Sequence, residues 1–321
     1  MIVDIHMHIG APYREDGKAY WSSKFENTAA FFAMKAMIGH LFQPITEEKI
    51  VSHLENIINS STEVEKVVLL ALDEVYDENG NLRKDLTNLF VSNDLIKEFS
   101  SSNDRILKGY SIHPYRKDAI ELLEKAKEEG ASLIKLIPSS QMFNPASEIL
   151  VKYWKKIAEL RLPVLIHTGP EYAIPTSDKK FNEYNDPKYL VSALDEGVII
   201  IAAHCATPYF WVFDAPYEKH FLNLIELFNE REKRGWNLYA DVSALATPTR
   251  IPYIKKILNN FPAERLFFGS DYPIPISTLG YEIKDKPSNP LDLYVKLLKT
   301  AGFPENVFHN WSTLFMKDTT V

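Results

Sequence analysis

The chain has 321 residues, 45% of them hydrophobic and 25% charged, and a net charge of −7 at pH 7. That length suits an α/β barrel of about 250 residues or more, with residues 1–321 expected to form a single domain. The acidic balance argues against nucleic acid, the lack of an apolar run near ~20 residues argues against a membrane span, and a lone cysteine, Cys205, excludes an intramolecular disulfide.

The N-terminus opens on a strand-like segment instead of a basic, apolar leader, so a cytoplasmic location is expected. This first strand begins near Ile2 and ends in Asp4-Ile5-His6-Met7-His8. Residues two apart on a strand share a face, so His6 and His8 can both aim into a barrel. About 35 residues then separate it from the next helix, and they carry Tyr13, Tyr20, Trp21, Phe25, Phe31, Phe32 and Phe42. A loop of this length and aromatic content is expected to serve function, with Trp21 and Phe25 as candidate substrate contacts. It could instead cover the barrel end as an extra helix, or seal the mouth against a neighbouring subunit of a homo-oligomer.

A helix is predicted over Ile45 to Ile58, with Thr46 as N-cap. Strand, helix, strand and helix follow: from Lys66, over Asp85 to Phe99, from Ile106 to His113-Pro114, and over Lys117 to Glu129. The strand from Ser132 holds Lys135 between apolar neighbours, and a helix covers Ala146 to Leu160. The strand from Leu162 ends in Ile166-His167-Thr168-Gly169, and the one from Val198 ends in Ala203-His204-Cys205. After a helix over Tyr217 to Arg231 come strands from Asn237 and Arg265, the latter ending in Gly269-Ser270-Asp271-Tyr272-Pro273, and a helix over Pro290 to Thr300. Most strands are nearly continuous apolar runs, as parallel strands covered on both faces should be. Eight strands alternating with helices fit a closed barrel or a doubly wound open sheet.

The chemistry favours the barrel. His6, His8, His113, Lys135, His167, His204 and Asp271 all fall at or near strand ends, which a (β/α)8 barrel gathers around one mouth. Burying so many polar groups without a metal or mutual pairing would be costly. Imidazoles plus a carboxylate suit Zn²⁺ or a similar divalent ion, which lowers the pKa of a bound water toward about 7. No Gly-x-Gly-x-x-Gly follows any strand, which disfavours a nucleotide-binding open sheet.

The order His-x-His, Lys, His, His, Asp resembles the amidohydrolase superfamily. The segments Ile134-Lys135-Leu136-Ile137-Pro138, Gly269-Ser270-Asp271-Tyr272-Pro273 and Asn310-Trp311-Ser312-Thr313-Leu314-Phe315 are similar to its amidohydrolase-related branch, which includes the aminocarboxymuconate-semialdehyde decarboxylase type. The resemblance implies a TIM barrel with His6, His8, His167 and Asp271 as metal ligands. It implies His204 as a general acid/base beside the metal, with Asp271 also able to take a proton from water.

Three roles stay open for Lys135: a substrate-binding amine, a carboxylated bridge between two metals, or a snorkelling structural lysine. His113 is expected to line the substrate site. The expected activity is metal-dependent hydrolysis of an ester, lactone or amide bond in a small molecule, with one divalent ion, Zn²⁺ by preference. The alternative is non-oxidative decarboxylation or hydration of an unsaturated or aromatic carboxylic acid, for which Arg14 or Lys135 would hold the carboxylate.

Overall fold

The computed structural model describes residues 1–9, 14–37, 47–208, 218–278 and 280–316. Tyr13, Phe42, Ile45, Thr46 and Tyr217 lie outside them. Ten strands are described: β1 (Val3–His8), β2 (Ala19–Trp21), β3 (Lys66–Leu70), β4 (Leu89–Val91), β5 (Ile106–Tyr110), β6 (Leu133–Leu136), β7 (Val164–Ile166), β8 (Ile200–Ala202), β9 (Leu238–Asp241) and β10 (Leu266–Phe267). Eight form one parallel sheet in the order β1-β3-β5-β6-β7-β8-β9-β10. The sheet closes on itself past β10, where Ile5 N–H donates to Phe268 O, Asp271 N–H to His6 O and His8 N–H to Tyr272 O. The result is the expected (β/α)8 barrel.

Period-two alternation fills the interior. Val3, Ile5, Val68, Leu70, Leu133, Leu165, Ile201, Ala203 and Phe267 form one buried cluster, joined by Trp311. Trp311 belongs to the C-terminal helix Asn306–Phe315, and its ring stands 5.6 Å from that of Phe267, so this helix packs against the cluster's base. The outer faces of the strands contribute to a second, larger cluster under the helices. Stepping two residues up from Leu133 reaches Lys135, and from Leu165 reaches His167. The polar residues therefore stack above the apolar layer at the carboxyl ends of the strands.

In β1 the alternation is broken on purpose. Asp4 pairs with Val67 and Met7 with Leu69, so three steps on β1 oppose two on β3. This one-residue bulge lets Ile5 fill the interior cluster while the next residue, His6, turns toward the same interior. His8 then follows His6 on that side, as the spacing predicts.

The eight strand starts fall within two residues of those predicted. Three differences concern the segments between them, one being a helix over Ile254–Asn260 that was not predicted. The predicted helix Asp85 to Phe99 is β4 followed by a helix over Asn93–Ser102, because Ser92 accepts from Leu95 N–H and caps the helix there. The long aromatic connection is not structureless in its described part. It contains β2, paired antiparallel with β4, and two helices, Ser23–Glu26 and Ala29–Met37. Ser22 and Thr28 side chains accept from Phe25 and Phe31 N–H, which fixes both helix starts. Among the described residues, no helix is long and apolar enough to cross a membrane.

Candidate metal centre

The end of β1 and the turn after β10 supply one group of donors, His6, His8 and Asp271; His6, His204 and Asp241 form another. Asp271 Oδ1 lies 3.3 Å from His8 Nε2 and 3.5 Å from His6 Nε2. Those lengths match the edge of a tetrahedron with metal–ligand bonds of about 2.1 Å. The three donor atoms all lie within 4.8 Å of one another. Asp271 reaches this position through a left-handed backbone, φ 60°, just after Gly269. A Cβ at Gly269 would come within 2.8 Å of His6 Cβ, so only glycine lets the two strand ends close here. Burial alone would raise the Asp271 pKa, but His6, His8 and Lys135 around it hold the carboxyl below its usual value.

Each imidazole is oriented from behind. His6 Nδ1–H donates to Asp241 Oδ2 at 2.7 Å, which leaves the lone pair on Nε2, facing inward. Lys135 Nζ donates to that lone pair at 2.9 Å. His167 Nδ1 lies 3.3 Å from Glu171 Oε2, while Glu171 Oε1 accepts from Ala173 and Ile174 N–H. His167 Nε2 is buried with no hydrogen-bond partner among the described residues. A buried imidazole nitrogen left this way fits the donor set of a divalent metal. The ring of His167 stands 5.0 Å from that of His204, whose Nε2 is 3.9 Å from Asp271 Oδ2.

Burial depresses the pKa of His6 first, with Lys135 adding to it. Burial, then Lys135 and Arg250, bring His167 down to about 3. For His204, burial comes first and Arg250 second. These imidazoles are therefore neutral, the form a metal ligand or a general base requires. Lys135 is fully buried, and desolvation lowers its pKa to about 8 despite Asp271, Asp241 and Glu171 nearby. Asp241 is held up by burial.

The residues singled out from the sequence divide into two sets. His6, His8, Lys135, His167, His204 and Asp271 converge at the mouth. Both ring nitrogens of His113 are bonded to the main chain, Nε2 donating to Gln141 O at 2.7 Å and Nδ1 accepting from Tyr115 N–H at 3.1 Å. Phe25 is buried edge-on against Phe31, and Trp21 is half-buried against the same ring. Arg14 pairs with Asp16 at 2.8 Å, and Glu98 lies 3.9 Å away, so its guanidinium is spent at the surface. Cys205 is buried on the outer side of the barrel, its thiol donating to Asp241 O.

Asp241 and Arg250 escaped the sequence reading. Asp241 carried the same signal as the other site residues, a carboxylate closing the apolar run of β9. Arg250 carried none: it lies nine residues past the end of β9, and only the fold buries it where its charge reaches His167 and His204.

The amidohydrolase family model matches residues 3–300. No curated protein matches the chain. Similar solved structures include a TIM-barrel protein from Bordetella bronchiseptica, at 16% identity and a TM-score of 0.61, covering 96% of this chain and 94% of that one. A probable 2-pyrone-4,6-dicarboxylic acid hydrolase from Acinetobacter baumannii is 15% identical with a TM-score of 0.58, covering 98% and 99%. A 2,6-dihydroxybenzoate decarboxylase from Rhizobium is 13% identical with a TM-score of 0.56, covering 98% of each. At these identities the likeness is one of fold.

Proposed function

Because the chain belongs to the amidohydrolase family, we propose that it is a metal-dependent hydrolase acting on an ester, lactone or amide bond of a small molecule. The observation that carries this reading is the set His6, His8 and Asp271, whose donor atoms lie within 4.8 Å of one another, together with the buried Nε2 of His167, which has no hydrogen-bond partner among the described residues. Nitrogen and carboxylate donors of this kind favour a single Zn²⁺. A divalent ion held there polarises a carbonyl oxygen and makes water a nucleophile near neutral pH. Carboxylation of Lys135 to hold a second ion is the alternative composition.

In this reading Asp271 Oδ2 and His204 Nε2 flank the reacting centre. The neutral imidazole of His204 accepts a proton from the nucleophilic water or delivers one to the leaving group, as a general acid/base. Asp271 takes the water proton when His204 serves as acid. Lys135 donates to an anionic group of the substrate, turning its Nζ from His6 to do so. The aromatic segment with Trp21 excludes bulk water from the mouth.

A second reading, non-oxidative decarboxylation of a carboxylic acid, is favoured by one specific observation: two cationic side chains, Lys135 and Arg250, are buried around His204 and His167. The fold is shared by proteins named for a dicarboxylic acid hydrolase and a dihydroxybenzoate decarboxylase, so both reactions have precedent on it. Metal analysis of the purified protein, followed by turnover of an ester, lactone and carboxylic-acid panel, tests both. About one ion per chain with ring opening or acid release supports hydrolysis. Carbon dioxide release supports decarboxylation, and full turnover by metal-free protein overturns both.

A further inference from the structure

Asp241 does more than orient His6. Its Oδ1 accepts from His204 N–H at 2.7 Å, from Ser243 N–H at 3.1 Å and from Ser243 Oγ–H at 2.5 Å. Since the Ser243 proton is committed to the carboxylate, Oγ is left as an acceptor. It lies 2.8 Å from His204 Nδ1. With Asp241 ionised, both bonds are satisfied when His204 carries its proton on Nδ1 and the lone pair on Nε2, toward Asp271, while the same Oγ, 3.1 Å from His6 Nδ1, shares the proton that His6 gives Asp241. All three residues are buried, with no water-facing alternative for Nδ1.

The backbone is held by the same carboxylate. His204, Cys205 and Ala206 are consecutive non-glycine residues in the left-handed region, with φ of 58°, 49° and 51°. Such a run persists only where its surroundings enforce it. The Asp241 bond to His204 N–H holds one side, and Thr207 Oγ1, donating to His204 O at 2.8 Å, holds the other.

We infer that Ser243 and Asp241 are positioning residues for His204, forming a relay from imidazole to hydroxyl to carboxylate that fixes which ring nitrogen faces the substrate. The same carboxylate orients His6, so a single buried group sets both a metal-ligand candidate and the proton carrier. This rests on the reading of His204 as the proton carrier, but the tautomer it predicts does not.

Two measurements separate the relay from a merely structural turn. In metal-free protein with ¹⁵N-labelled histidine, His204, assigned by its loss in His204→Asn, is expected to carry its proton on Nδ1. Ser243→Ala is expected to shift part of that population to Nε2, while Ser243→Thr keeps it. In metal-loaded protein, Ser243→Ala retains its metal and loses kcat by about 10–100-fold, the range for supporting hydrogen bonds at metal sites. KM changes little, and Ser243→Thr recovers most of kcat. Ser243→Cys, close in size, serves if the alanine variant does not fold, with the same expected direction. An unchanged His204 tautomer in Ser243→Ala, or unchanged kcat, overturns the relay. If the wild type shows no metal-dependent turnover but the tautomer depends on Ser243, the functional reading falls and the relay stands.

Discussion

His113 offers a decisive test of how a strand-end histidine is used. It is fully buried, both ring nitrogens are bonded to the main chain, and its ring contacts Tyr76, Tyr115 and Phe143 at centroid distances of 5.5, 5.5 and 5.6 Å. Replacing it with phenylalanine keeps the packing but strands Gln141 O and Tyr115 N–H, each costing roughly 1–3 kcal/mol. Extra apolar contact offsets part of this, so a net loss of about 2–4 kcal/mol is expected at pH 7.5. The gap should narrow in acid. Burial, with Arg116 adding to it, holds the His113 pKa at about 3, against an ordinary value of 6.5. Below that ordinary value the unfolded chain takes up a proton that the folded chain refuses, so the contribution of His113 is full above pH 6.5 and is lost as the pH falls toward 3. At pH 5 that loss amounts to about 2 kcal/mol, at ~1.4 kcal/mol per unit. The phenylalanine variant has no such proton to take up, and the other buried histidines cancel in the difference. Urea unfolding of both proteins at pH 7.5 and 5 measures the two gaps. A gap that does not narrow, or a variant of unchanged stability whose kcat/KM collapses, would refute the assignment of His113 to the wall and return it to the substrate.

Other substitutions probe the mouth itself. His6→Ala and Asp271→Ala should each lose metal, measured by elemental analysis, by more than the roughly 10–100-fold drop in affinity seen when only a supporting group is removed. His204→Asn should keep one ion per chain and lose kcat by about 100-fold or more; loss of half of a two-ion complement would instead point to a dinuclear site with carboxylated Lys135. Lys135→Met should raise KM for a carboxylate-bearing substrate more than for its uncharged ester, and an equal effect on both would remove Lys135 from substrate binding. Phe25→Ala should lower the melting temperature by the equivalent of about 3 kcal/mol, because the ring is core. Trp21→Ala should alter kcat or KM with metal content and melting temperature nearly unchanged, whereas intact kinetics with subunit dissociation would favour a contact between copies of the chain.

The sequence by itself determined the barrel and the converging residues. Its apolar runs recur with helices between them, and period-two alternation is local, so the end of each run and the polar residue that closes it can be read without the fold. That is why His6, His8, Lys135, His167, His204 and Asp271 were all legible, and why Asp241, an equally plain strand-end acid, was within reach. What could not be read locally were partnerships across the chain. Nothing in residues 89–91 distinguishes a strand edge from a helix start until β2 arrives, 68 to 72 positions upstream, to pair with it. The bulge that turns His6 inward beside Ile5 exists only as a mismatch of register with β3. His113 has the same strand-end signature as His167, yet one ring is saturated by Gln141 and Tyr115 backbone while the other has an Nε2 with no partner among the described residues. Type and spacing place a histidine at the mouth; only the tertiary structure, by supplying or withholding hydrogen-bond partners around a buried ring, decides whether its lone pair is spent on the fold or left for chemistry.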